Sequence, residues 1–191
     1  GRPWPGADVK IVDEETGTPV SQGERGTVFM LLPEQTTFEY KGDQTKTKKN
    51  RIALDGQTYF TVGDIGYLNE EGYLFLCDRK IDMIISGGAN IYPAEIENVL
   101  LTHPKVGDVA VFGIPHEDWG EEVKAVVEPA PGVEATEALR ADILDFCRDR
   151  LAKFKTPRSI DFLEALPRDP NGKLYKRKLR DPYWEGHERA I

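Results

Sequence analysis

Through roughly its first 78 residues the chain never sustains an apolar run beyond five residues before Gly, Pro or an acidic cluster interrupts it. Runs that short cannot build an amphipathic helix of several turns, but four or five residues suffice for a strand. Val9-Lys10-Ile11-Val12 leads into the turn-forming Asp13-Glu14-Glu15-Thr16-Gly17. Val28-Phe29-Met30-Leu31-Leu32 follows Gly26 and stops at Pro33. Tyr59-Phe60-Thr61-Val62 and Tyr73-Leu74-Phe75-Leu76 are rich in aromatic and β-branched residues, the second introduced by Glu71-Gly72. The pattern predicts a small antiparallel β unit. Only residues 37–48 allow a helix, and they are too polar to fix one.

From about residue 82 the period changes. Met83-Ile84-Ile85 reads as a strand ending at Ser86-Gly87-Gly88. Pro93 suits a first helical turn, and Glu95 and Glu97 lie near the positive end of the helix dipole. Ile96, Val99 and Leu100 form its inner face, and Pro104 marks the stop. Val109-Ala110-Val111-Phe112 and Val123-Lys124-Ala125-Val126-Val127 read as strands. Leu139, Ile143, Phe146, Cys147, Leu151 and Phe154 recur at helical spacing. Helices on one side of a small sheet make this half α+β.

Composition narrows the functional classes. With 191 residues, 39% hydrophobic and 30% charged, the chain can bury a core and is no disordered tail. No stretch approaches the ~20 apolar residues of a transmembrane helix. A net charge of −8 argues against a general binder of nucleic acid or anionic membrane. Cys77 and Cys147 cannot staple a scaffold of this size, and His103, His116 and His187 are too scattered for a zinc site, so no metal ligands are assigned. A reduced, cytoplasmic pair of thiols is the expectation, with peripheral membrane residence as the other possibility. The chain opens on Gly1-Arg2-Pro3 without an initiator Met and is expected to be a piece of something longer.

The tail inverts the charge. Arg168 to Asp181 carries six Lys/Arg against two Asp, +4 within a chain of −8. Such a run is either a solvated end or an arm reaching an anionic phosphate. Pro167, Pro170 and Asn171-Gly172 favour a shaped turn, from which Lys173 could aim a single cation. Elsewhere the residues leave alternatives open. Asp64, after a β-like run, and Arg79, after another, could bind a diol or phosphate, or could be a turn Asp and a surface Arg. Ser86-Gly87-Gly88 could let a ligand approach the backbone, or could be a tight hairpin turn. Trp119 could be a stacking platform or rim packing.

The order of these pieces carries more than any one of them. Tyr59-Phe60-Thr61-Val62-Gly63-Asp64-Ile65-Gly66 is followed by Asp78-Arg79-Lys80-Ile81-Asp82-Met83-Ile84-Ile85-Ser86-Gly87-Gly88-Ala89-Asn90-Ile91-Tyr92-Pro93-Ala94-Glu95-Ile96-Glu97, and then by Pro167 to Lys173. This succession resembles the C-terminal third of adenylate-forming enzymes, from Gly1 to about Asp181. The wording Met-Ile-Ile-Ser-Gly-Gly-x-Asn-Ile-Tyr-Pro is most similar to fatty-acyl-CoA synthetases.

The resemblance implies a division and a set of roles. Residues 1–78 would be the last β subdomain of a large adenylation domain, 79–82 a hinge, and 83–191 a mobile α+β lid. Asp64 would bind the ribose hydroxyls of ATP and the adenylate, and Arg79 would also contact the nucleotide. Lys173 would reach the forming acyl-adenylate, where charge builds on the α-phosphate. Gly87 and Gly88 would flank the path of the CoA thiol, and Trp119, Phe154 and Arg158 would hold CoA. Two positions depart from the family pattern. Ile81 occupies the pivot, usually Asp or Lys, where β-branching restricts the backbone. Val62 stands where the family has Thr.

The implied reaction is AMP-forming: a carboxylic acid, ATP and Mg2+ give an acyl-adenylate and pyrophosphate, and CoA then displaces AMP. The phosphate loop, adenine pocket and acyl tunnel of the family are not in these residues. The chain is therefore expected to be inactive alone and to work with an N-terminal domain of the same protein. Rival readings are an aryl- or short-chain ligase, a luciferase-like enzyme, or a non-catalytic CoA-binding or docking module.

Overall fold

In the computed structural model, which describes residues 1–32, 38–187 and 189, strand β1 (Val9–Asp13) buries Ile11 and Val12. It pairs antiparallel with β2 (Thr18–Pro19) and β3 (Gly26–Leu31). Pro33, expected to end β3, and residue 37, the start of the helix-permissive stretch, lie outside the described residues. Helix α1 (Gln44–Lys49) is capped by the Asp43 carboxylate, which accepts from Lys46 N at 2.8 Å. Strands β4 (Arg51–Leu54) and β5 (Gln57–Phe60) form a hairpin on β3, and β6 (Asp64–Leu68) pairs with β3 and with β7 (Leu74–Arg79). Together they make a seven-stranded sheet. Val12, Phe29 and Tyr59 form its core cluster, and the Tyr59 hydroxyl donates to Asp8 Oδ2 at 2.6 Å. That hydrogen bond, together with burial and the Asp8 charge, pushes the Tyr59 phenol up to about 12.

The chain divides into two compact units, Gly1–Ile81 and Asp82–Ile191. The second opens with a hairpin of β8 (Ile84–Ser86) and β9 (Ala89–Ile91), followed by α2 (Pro93–Leu100). Pro93 occupies the first turn of α2, while Ile96 and Leu100, both fully buried, face inward. Strands β10 (Val106–His116) and β11 (Gly120–Pro129) form a long hairpin. Helix α3 (Glu137–Arg148) is N-capped by Thr136, and β12 (Ser159–Phe162) joins β11 in parallel. Alternation along β10 and β11 sorts the side chains. Val109, Val111, Val123, Ala125 and Val127 meet α2 and α3, where burying a residue such as Ile143 stabilises the fold by about 2–3 kcal/mol. Ala110, Phe112 and Val126 face the other way, toward Leu166 and Leu179.

That second face corrects one expectation. Helices do not lie on one side only: α4 (Lys176–Arg180) brings Leu179 onto the opposite face. A second correction concerns α3, which ends at Arg148 although apolar spacing continues to Leu151 and Phe154. Leu151 turns back into the core, its amide still donating to Cys147 O, while Phe154 is left exposed.

β10 lies at the edge of its sheet, and side chains close that edge. The Val109 and Val111 amides donate to Asp108 Oδ1 and Glu97 Oε1, and the Gly113 carbonyl accepts from Trp184 Nε1 at 3.0 Å.

Candidate functional site

In the first unit, Asp64 and Arg79 are cross-strand partners at the open end of the β6–β7 hairpin. Their side chains form an ion pair with Arg79 Nε 3.5 Å from Asp64 Oδ1, and the guanidinium is mostly exposed. The turn before Asp64 is fixed by a buried hydroxyl: Thr61 Oγ1 accepts from Gly63 N at 3.0 Å. The neighbouring Val62 is exposed. A carboxylate held by one guanidinium, with its remaining lone pairs toward solvent, can accept from a vicinal diol while the guanidinium offers further donors. Ile81, the last residue of this unit, is exposed and sits in the 3-10 helical turn Lys80–Asp82.

In the second unit, Gly87 and Gly88 are the two turn residues of the β8–β9 hairpin, both with positive φ. The Gly87 amide donates to Trp119 O at 2.8 Å, and Ser86 pairs with Gly120 in the β10–β11 hairpin. A Cβ at Gly87 would lie 2.8 Å from Trp119 Cε3, so the indole rests directly on this glycine. Beside it, Trp119, Phe154 and Arg158 converge on one concavity, joined by Ser86, His116, Glu122 and Thr156. Arg158 is anchored through its amide, which donates to Val123 O at 2.8 Å, leaving the side chain exposed. A groove of about 520 Å³ shares Thr156 and Arg158 and adds Arg148, Lys153 and the apolar Leu144, Leu151 and Pro157. Half-exposed aromatic faces beside a guanidinium suit a flat base carrying phosphate. His116, Glu122 and Thr156 were not legible as lining residues in the sequence, because nothing in their spacing marks them.

Lys173 lies on a tight loop. The Asp169 carboxylate accepts from Asn171 N and Lys173 N, and Asp169 N donates to Lys173 O at 2.8 Å. Arg168 donates to Gly172 O at 2.7 Å, and Tyr175 N to Pro167 O. The basic run around the loop is neither a solvated end nor a free arm. Arg168 pairs with Asp108, Lys176 with Glu97, Arg177 with Asp181 and Arg180 with Asp82, while Lys178 lies over the Tyr175 ring. Among the described residues Lys173 is the one member of that run whose ammonium meets no partner, and it is exposed. Aspartate bonds and the Arg168 contact fix its backbone, and its charge is left unspent.

Comparison with known proteins supplies a frame for the features of each unit. Residues 95–173 match the AMP-binding enzyme C-terminal domain. The fatty acid–[acyl-carrier-protein] ligase ScoC of Streptomyces coeruleorubidus is 40% identical over 191 residues, covering 100% of this chain and 35% of that protein. The long-chain-fatty-acid–CoA ligase of Bacillus subtilis is 39% identical over 188 residues, covering 98% of the chain and 32% of the ligase. Among solved structures, ATP-bound MatB from Rhodopseudomonas palustris superposes with a TM-score of 0.85 at 34% identity, covering 98% of this chain and 36% of that one. The chain thus spans about a third of the length of the proteins it matches.

Proposed function

Because this chain belongs to the AMP-binding enzymes and carries their C-terminal domain, we propose that it is the C-terminal part of a ligase that activates a fatty acid with ATP and passes the acyl group to CoA. The observation that supports this most is the isolation of Lys173 within a run of otherwise paired cations. Attack of a carboxylate on the α-phosphate concentrates negative charge on the phosphoryl oxygens, and a single aimed ammonium stabilises that charge in a site closed to water. Asp64 would accept from the ribose hydroxyls, with Arg79 as a second nucleotide contact. Trp119, Phe154 and Arg158 would hold the base and phosphate of CoA, with the Gly87-Gly88 turn beside the path of its thiol.

In this reading the remainder of the protein supplies the phosphate loop, adenine pocket and acyl tunnel, and this chain alone does not turn over. Residues 79–82 would be the pivot about which the lid presents Lys173 in one half-reaction and the glycine turn in the other. Mg2+ enters with ATP as part of the substrate. Among the described residues no three His, Cys, Asp or Glu side chains lie close enough to hold a metal. No helix among them is long and apolar enough to cross a membrane. The protein is expected to work in the cytoplasm. The carrier-protein ligase among the relatives supports a second reading of the acceptor, the pantetheine thiol of a carrier protein.

The test is carboxylate-dependent ATP–pyrophosphate exchange by the full-length protein, using octanoate, palmitate, benzoate and 2-succinylbenzoate. Lys173→Ala should lower exchange by about 100- to 1,000-fold, as expected for losing one preorganised charge. Its unfolding transition should not move, because the ammonium meets no partner among the described residues. Exchange at the parental rate would refute the assignment.

A further inference from the structure

Asp82, Glu121, Arg180 and Arg189 gather where the second unit begins; Asp82 is the last residue of the proposed pivot, and none of the four is among the groups proposed to meet nucleotide, acyl group or CoA. Arg180 closes α4 with its side chain buried, its guanidinium 3.5 Å from Asp82 and 3.4 Å from Asp181. Arg189 donates to Met83 O at 2.7 Å and pairs with buried Glu121 at 3.1 Å. Gly113 makes the room, since a Cβ there would lie 1.8 Å from Glu121 Oε2. Burial pushes the Glu121 carboxyl up, and Arg189 and Arg180 oppose that shift.

α4 could not hold itself. It has five residues, four of them cationic, so it is shorter than a self-sustaining helix and carries adjacent like charges. It is instead pinned at both ends. Lys176 pairs at 2.7 Å with Glu97, which also accepts from Val111 N, and Arg180 pairs with Asp82. Lys173 lies only three residues before α4. Asp82 directly follows Ile81 and is the first residue of the unit. We infer that Asp82 and Arg180 are positioning residues for Lys173: their ion pair clasps the segment bearing the lysine to the root of the unit and so fixes where the ammonium points. This rests on the role proposed for Lys173.

The experiment uses the full-length protein with Arg180→Gln, the exposed control Arg177→Gln, and the charge swap Asp82→Arg/Arg180→Asp. Hydrogen exchange of the backbone amides of residues 169–175 should accelerate about tenfold or more in Arg180→Gln, because a partly buried ion pair has lost its buried partner, and stay at the parental rate in Arg177→Gln. Pyrophosphate exchange with the acids named above should fall about tenfold or more, while thioester formation from preformed acyl-adenylate should change less than about threefold. The swap should recover at least part of both losses. Unchanged amide exchange in Arg180→Gln overturns the clasp, as does equal loss of both half-reactions or no recovery in the swap. If the parent protein shows no pyrophosphate exchange, or Lys173→Ala leaves it intact, the proposed function of Lys173 fails. The amide exchange then still reports on the clasp as a mechanical device.

Discussion

Adding one methyl group at Gly87 separates two costs that usually come together. At Gly87, φ is +57°, and an added Cβ would stand 2.8 Å from Trp119 Cε3. At Gly88, φ is +80°, with nothing within 4 Å of the same position. Gly88→Ala therefore meets only the left-handed backbone penalty, about 1 kcal/mol. Gly87→Ala meets that penalty plus overpacking against an indole held by the Gly87 N–H to Trp119 O hydrogen bond. The total is roughly 2–4 kcal/mol. In a Trp119→Ala background the ring is gone, and Gly87→Ala should fall back to about 1 kcal/mol. Urea unfolding read by Trp184 fluorescence suits the measurement. Trp4, exposed in the first unit, is replaced by Phe in every variant so that the signal belongs to the second unit. Equal costs for the two alanines, or a Gly87→Ala cost that persists without the indole, would refute the reasoning.

Two further outcomes follow from buried titratable groups. His103 is buried against Phe146, and burial lowers its pKa, helped by Lys105 and Arg150 and opposed by Asp142. The folded state therefore binds its proton less readily than the unfolded chain. Its contribution to stability is full above about pH 6.5 and lost as pH falls, with a slope of at most about 1.4 kcal/mol per pH unit. His103→Gln should flatten the unfolding midpoint between pH 7.5 and 5.5, and an unchanged slope would count against this account. Cys147 is fully buried in the core, which pushes its thiol up to about 11, whereas Cys77 is half-buried. Under native conditions a maleimide should modify Cys77 and leave Cys147 unreacted until urea is added; equal native labelling would contradict the packing.

The sequence made some elements plain and hid others for identifiable reasons. β1, β3 and β7 announced themselves as apolar runs between turn residues, and α2 as a proline start with Ile96 and Leu100 inward. β4, β6 and β12 are four or five residues long, and each contains polar or glycine residues. They exist because neighbouring strands pair with them, which no local pattern can reveal. α3 was read too long because Leu151 and Phe154 keep helical spacing after the helix ends. Leu151 reaches the core from a turn, and Phe154 faces the concavity with Trp119. The candidate site shows the same limit. Trp119 was legible only as a platform or as rim packing, and Phe154 and Arg158 came as CoA contacts from resemblance alone, since the convergence of the three needs β11 to run beside β12 and the segment leading into it. The basic run left two readings open because, apart from Asp181, its acidic partners Asp82, Glu97 and Asp108 lie 60 or more residues upstream of the cations they pair with.

The closed margin of β10 also restricts what kind of neighbour this unit can accept. An extended peptide joins a sheet by answering a row of free amides and carbonyls. Here the Val109 and Val111 amides and the Gly113 carbonyl are already answered by Asp108, Glu97 and Trp184. Strand addition at that margin would first have to evict a carboxylate that also anchors Lys176. Edge-to-edge pairing with another copy is thus opposed at this margin, and a protein that recognises this flank must do so through side-chain shape and charge.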